Sequence, residues 1–180
     1  MRVLPLVNQP ENVPTYAAYG RTSRSDRLRE GALSELQLAV ELNSSFALAY
    51  EGLGEVFGQL ERYEESIVAS RTAVALSPHD PRLCFTLHRM ARASYLMGYD
   101  ERTIDLTRRS IELNPTFVWT RLHLIAALAQ LGKTQELRDA LLHARTIWTE
   151  LSLQFVEQRA AALGRTMPQR LREGLEKAGL

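Results

Sequence analysis

The sequence predicts an all-α fold in which helical hairpins stack into a solenoid, and three observations carry that prediction. First, three segments close their helices alike: Ala39-Val40-Glu41-Leu42-Asn43-Ser44, Ala73-Val74-Ala75-Leu76-Ser77-Pro78 and Ser110-Ile111-Glu112-Leu113-Asn114-Pro115, at spacings of 34 and 37 residues. Self-similarity at such a period marks stacked two-helix units. Second, no stretch of β-branched or aromatic residues alternates with polar ones for more than a few positions, so strand signals are missing. Third, no proline occurs between Pro14 and Pro78, and leucine and alanine dominate that span.

Taken in order, residues 1–14 hold three prolines without periodicity and read as an irregular lead-in. A short helix is expected at 15–22, where Tyr16, Tyr19 and Gly20 match Tyr50, Leu53 and Gly54 one unit later. A helix at 30–42 follows from Ala32, Leu36 and Ala39, the counterparts of Ser66, Ser70 and Ala73. The helices at 46–59 and 62–76 form the best-marked unit, with Leu53, Gly54 and Phe57 on the first and Tyr63, Ser66 and Ala73 on the second. Small residues in such a pattern fall where helices cross closely, and large apolar ones fill the space beside the crossing.

Asp80-Pro81 reads as an N-cap followed by proline at the first helical position, so a helix is expected at 81–97, with the three-residue excess of the longer spacing absorbed around Pro78–Pro81. Gly98 and Gly132 end the first helices of their units, which gives further helices at 101–113, 116–131 and 134–148. Ser94 is the weak match, a small polar residue where Phe57 and Leu128 stand in the neighbouring units. Residues 15–148 are therefore read as an array of three to four helix pairs. Residues 149–180 are read as a capping segment, helical in part over 149–163. A last helix near 167–178 starts at Pro168 and places Leu171, Leu175 and Ala178 on one face to seal the exposed end of the array.

Composition narrows the function. Lys+Arg is 22 against Asp+Glu 21, so the chain lacks the basic excess that a general nucleic-acid binder needs. No run of 18 apolar residues occurs, no membrane role is expected, and the first 14 residues lack the continuous apolar core of a signal peptide. The single cysteine, Cys84, rules out an internal disulfide and fits a reducing compartment, so the cytoplasm is the default.

The motif Tyr50…Leu53-Gly54…Phe57…Tyr63…Ala73…Pro78, with Gly132 and Asn114-Pro115, resembles the tetratricopeptide repeat family. A narrower likeness covers about residues 65–180. Ala75-Leu76-Ser77-Pro78-His79-Asp80-Pro81, Asn114-Pro115-Thr116-Phe117, Leu131-Gly132-Lys133 and the tail Leu171-Arg172-Glu173-Gly174-Leu175-Glu176-Lys177-Ala178-Gly179-Leu180 look like the carboxy-terminal repeat region of bacterial proteins similar to class III adenylate or guanylate cyclases, a tail also found on some winged-helix regulators. In those proteins the catalytic or DNA-binding domain lies upstream, whereas here 14 irregular residues precede the first candidate helix. The resemblance implies a regulatory or docking role and lends no cyclase site.

The residues themselves offer no catalytic, cofactor or metal constellation. Cys84 and His88 are the nearest metal-ligand pair, at i,i+4, and a buried cysteine beside a groove histidine accounts for them as well. GLGEVFG at 52–58 lacks both the Lys-Ser/Thr and the preceding strand of a phosphate loop. Arg82, Arg89, Arg92, Arg102, Arg108 and Arg109 form a local basic run that reads as a solvated face.

If the register holds, the first helix of each unit presents a groove face. It comprises Leu48, Glu51, Glu55 and Gln59; then Phe85, His88, Arg92 and Tyr95; then Trp119, Leu122, Ala126 and Gln130. That is an acidic strip, an aromatic and basic centre and an apolar end, a composition suited to an interface hot spot. The packing alternative for Trp119 and Phe85 is burial between units or under the tail helix. The function expected is a non-catalytic module that binds a peptide or helix in this groove without a cofactor. A regulatory fragment of a signalling protein, or homo-oligomerisation through a terminal repeat, are the alternatives.

Overall fold

The computed structural model describes residues 26–180, with side chains described from residue 28, so the lead-in and the helix expected at 15–22 lie outside the described residues. The described residues form helices and no strand. The helices are α1 (Asp26–Leu42), α2 (Ala47–Gln59), α3 (Tyr63–Leu76), α4 (Leu83–Leu96), α5 (Asp100–Leu113), α6 (Val118–Gln130), α7 (Thr134–Ile147), α8 (Leu153–Ala162) and α9 (Gln169–Lys177). The all-α hairpin solenoid expected from the repeat is the fold observed.

The repeat has a local physical basis. Helices α1, α3, α5 and α7 end at Leu42, Leu76, Leu113 and Ile147, giving steps of 34, 37 and 34 residues. The longer step has two sources. The 77–82 connection has six residues where 43–46 and 114–117 have four, and α4 has one residue more than α2 or α6. The expected start of α4 at Pro81 is corrected to Leu83. The Asp80 carboxylate accepts the Arg82 backbone N–H at 2.7 Å and the Arg82 guanidinium at 3.0 Å, which holds Pro81 and Arg82 in a turn ahead of the helix. In the two short connections Asn43 and Asn114 do the equivalent work: each side-chain oxygen accepts the N–H two residues on, from Ser45 at 3.0 Å and Thr116 at 3.2 Å. The Leu-Asn endings seen in the sequence are therefore turn-forming residues at fixed repeat positions.

The turn inside each pair is also repeated. Arg62, Tyr99 and Lys133 donate their backbone N–H groups to the carbonyls of Phe57, Ser94 and Leu128 at 2.9, 2.9 and 3.0 Å. Such a closure needs a left-handed residue in the turn. Gly98 and Gly132 supply it with φ of 87° and 67°, but Glu61 occupies the same place with φ 60°. Ser94, weak as a core match, contributes its carbonyl here.

The chain divides into two compact units, one up to Arg89 and one from Met90, with the division falling inside α4. In the first unit α2 packs between α1 and α3. Its core is built from Ala32, Leu33, Leu36, Ala49, Leu53, Val56, Phe57 and Ala69. Gly54 is required at the α2–α3 crossing: a Cβ there would lie 2.4 Å from Ser70 Oγ, and the freed space lets Ser66 donate its hydroxyl to the Gly54 carbonyl at 2.6 Å. On the α4 side of this unit Cys84 is buried, 4% exposed, beside the buried residues Thr86 and Leu87.

In the second unit α6 is the central element, packed against α5, α7 and α9. Its residues from Leu122 to Ala129 are all buried, so its apolar run is continuous instead of amphipathic. The segment 149–163, expected to be helical in part, forms α8 behind Ser152, whose hydroxyl accepts the Phe155 N–H at 3.3 Å. A chain of edge-on aromatic contacts, Trp119 to Trp148 at 5.4 Å and Trp148 to Phe155 at 5.3 Å, joins α6 to α8. The last helix, α9, buries Leu171 and Leu175 in one cluster with Tyr95, Leu122 and Ala126.

Candidate functional site

The repeat register places the expected groove residues on the first helix of each pair, and the two units treat that face differently. In the first unit Leu48, Glu51, Glu55 and Gln59 of α2 are partly exposed, as is His88 of α4, and Phe85 is 42% exposed. The acidic strip expected here is corrected, because arginines from the next repeat neutralise it. Arg89 Nε donates to Glu55 Oε2 at 3.0 Å, and Gln59 Nε2 donates to the other oxygen at 3.0 Å. Arg82 lies 3.5 Å from Glu51 while holding Asp80, whose carboxyl its hydrogen bond keeps below the usual value. The result is a half-buried row of paired charges with one exposed ring, Phe85, beside it.

In the second unit the corresponding face is covered by the chain itself. Tyr95, Leu122 and Ala126 are each 0% exposed. Tyr95 donates its hydroxyl to the Arg170 carbonyl at 2.8 Å, and Arg170 in turn donates to the Tyr95 carbonyl at 2.5 Å. The Arg170 guanidinium lies 4.1 Å from the centre of the Tyr95 ring and grips both oxygens of Asp100, at 3.0 and 2.8 Å. Burial pushes the Tyr95 phenol above its usual value. Gly174 of α9 meets Ala126 so closely that a Cβ would lie 2.8 Å from the Ala126 methyl and 2.2 Å from Tyr95 Oη. Gln130, at the end of α6, accepts from Lys177 through its backbone carbonyl at 3.3 Å. Trp119 is half-buried with its ring edge-on to Trp148, and Arg92 is half-buried.

One residue without a role in the sequence reading stands out here. His123 is fully buried, its Nδ1 lies 3.0 Å from the Trp119 carbonyl, and its ring meets Tyr95 edge-on at 5.9 Å. Burial, with the nearby Arg92 charge adding to it, lowers its pKa to about 4, so the ring is neutral and Nδ1–H donates. Its repeat position is held by Gly52 and Arg89 in the preceding units, which is why no pattern announced it.

Within the local run of arginines, Arg82 and Arg89 are paired as above, and Arg108 pairs with Glu136. Among the described residues no three His, Cys, Asp or Glu side chains converge as a metal set, and no helix is long and apolar enough to cross a membrane.

No family model matches the sequence. Among curated proteins the chain is similar to the peroxisomal targeting signal receptor of Candida albicans, 27% identical over 129 residues, which is 72% of this chain and 21% of that protein. The match thus spans about a fifth of that relative's length. Among solved structures it is similar to YrrB, described as a TPR protein with an unusual peptide-binding site. The TM-score is 0.66 at 21% identity, over 95% of this chain and 86% of that one. MamA gives a TM-score of 0.68 at 16% identity, over 94% of this chain and 91% of that one. The fold is tetratricopeptide-like. What these neighbours share with it is that fold.

Proposed function

We propose that the chain is a non-catalytic protein–protein interaction module that receives a peptide or helix on the groove face of its first-of-pair helices. The observation that carries this reading is the half-open face of the first unit, where Phe85 stands 42% exposed beside the Glu55–Arg89 and Glu51–Arg82 pairs. An exposed aromatic ring flanked by fixed polar groups offers an apolar anchor with a specific rim. Leu48, Gln59 and His88 are the partly exposed groove-face positions of the same unit. The ligand expected is a segment with one apolar side chain for Phe85 and polar groups on either side, free of the strong basic bias an unpaired acidic strip would have demanded.

The likenesses support a polypeptide ligand, since YrrB is described as having a peptide-binding site and the Candida protein as a targeting-signal receptor. The tail's resemblance to cyclase- and regulator-linked repeat regions fits the same role, with the array as the regulatory or docking part of a signalling protein.

Peptides selected against the chain from a displayed random library provide the test, read by titration calorimetry beside a thermal melt. Phe85→Ala is expected to weaken the selected peptides by about 1–3 kcal/mol and to leave the melt unchanged within about 1 kcal/mol. Equal affinity for parent and variant would remove the partner from this face.

A further inference from the structure

We infer that the face formed by Tyr95, Leu122 and Ala126 in the second unit is a helix-docking site, and that α9 is a resident occupant, held in cis, which an amphipathic helix of a partner protein displaces. This deepens the interaction reading above and rests on it. Three sets of observations converge.

The first is that α9 is specified as a separate helix. Pro168 precedes it, and Gly179 at φ 84° ends it with the Leu180 N–H returning to the Leu175 carbonyl at 3.1 Å. Its outer side is bonded within itself, Gln169 to Glu173 at 2.9 Å and Arg172 to Glu176 at 3.1 Å, with Arg172 also paired to Glu157 of α8. The second is its attachment. Residues 161–166 are all exposed, with Gly164 at φ 68°, and α9 lies mainly against α6 instead of α8.

The third is the chemistry of the contact, which reads like a bound ligand. One arginine is held by a carboxylate, a carbonyl and a ring; two leucines one turn apart enter the apolar floor; and between them Gly174 lets the helix backbone reach Ala126. The Asp100 side chain is only 11% exposed, so any occupant that replaces α9 must bring a cation to it. The partner segment is therefore a helix with arginine, leucine at the next position, glycine four after the arginine and leucine five after it. A short tether such as 161–166 holds a ligand at an effective concentration of about millimolar, so a free helix of equal intrinsic fit competes poorly until the resident one is weakened.

The probe is a fluorescently labelled peptide of residues 165–180, titrated with the full chain and read by anisotropy. Gly174→Val in the chain is expected to expel the resident helix, since a side chain there would meet Tyr95 and Ala126, while the residues of the receiving face are left unchanged. This variant is expected to bind the peptide at least about ten-fold more tightly than the parent does. The same peptide carrying Gly174→Val should not bind it, and adding Asp100→Asn to the chain should cost at least about thirty-fold in affinity, the lower end of the loss expected for a buried hydrogen-bonded charge pair. Arg170→Ala in the chain is the second variant; it adds no bulk and should show the same gain in smaller measure. If neither variant gains peptide binding, or if the valine peptide binds as well as the native one, the docking-site inference falls. The probe is the chain's own tail, so this result is separate from the Phe85 test, and either can fail while the other holds.

Discussion

Helices α2 and α6, one in each unit, carry the same repeat positions, yet one face is half-open and the other closed. On α2, Glu51 and Glu55 are half-buried, each paired with an arginine from the next repeat. On α6, Leu122 and Ala126 at the equivalent positions are apolar and small, and they vanish under α9. Register thus decides where a side chain stands, but residue chemistry decides whether the chain must cover it. A row of paired charges tolerates water, whereas an apolar row does not.

The largest way to break this contrast is to remove the cover. Deletion of residues 166–180 takes away two buried leucines, each worth about 1.5–3 kcal/mol in transfer terms. The expected outcome is a stability loss of about 3–6 kcal/mol, read by thermal melt, with hydrogen exchange rising first in α6. A truncated chain that stays monomeric and melts unchanged would show that the closed face needs no cover.

The next test uses a group found only on the closed side. His123 has a folded pKa of about 4 against 6.5 when unfolded. A depressed histidine favours the folded state while neutral, so its contribution is intact above pH 6.5. It is lost as pH falls from 6.5 toward 4, where the unfolded chain takes up the proton that the folded one refuses. The span is roughly 3 kcal/mol. Urea midpoints at pH 7 and pH 4.5 should differ accordingly, and His123→Phe should flatten that slope. An unchanged slope in the variant would assign the acid sensitivity elsewhere.

The smallest effect sharpens the contrast at the turns. Gly98 and Gly132 take the left-handed conformation freely, but Glu61 does not, and it is exposed. Glu61→Gly is expected to raise the stability of the first unit by about 1 kcal/mol, measured by urea unfolding. A loss instead would mean that the glutamate side chain contributes more than its backbone strain costs.

These outcomes bear on what the sequence could disclose. The helices from 30 to 148 are legible because their signals are local and repeated: Asn43 and Asn114 make the same turn, and Gly98 and Gly132 the same left-handed closure; α1 nonetheless starts at Asp26, four residues before the expected 30. The Pro81 start was misplaced by two residues because Asp80 can cap a helix or close a turn, and only the fold of Arg82 over it chooses. The Glu55–Arg89 pair was hidden for another reason. It joins residues 34 apart, and nothing local distinguishes a carboxylate awaiting a ligand from one already paired. The tail declared an apolar stripe at Leu171 and Leu175 but not its destination. A stripe states that something must be covered, and the clue to which surface lay in Gly174, a gap that has meaning only beside Tyr95 and Ala126.

The single cysteine turns one part of this architecture into a built-in clock. Cys84 is buried at the start of α4 in the first unit, and the sequence holds no second thiol to confuse the signal. A thiol reagent can reach it only while that segment is open, so the labelling rate of the unmodified chain counts opening events directly. A ligand seated on Phe85, one residue away, would slow that count, and occupancy could be followed without attaching any reporter to the protein.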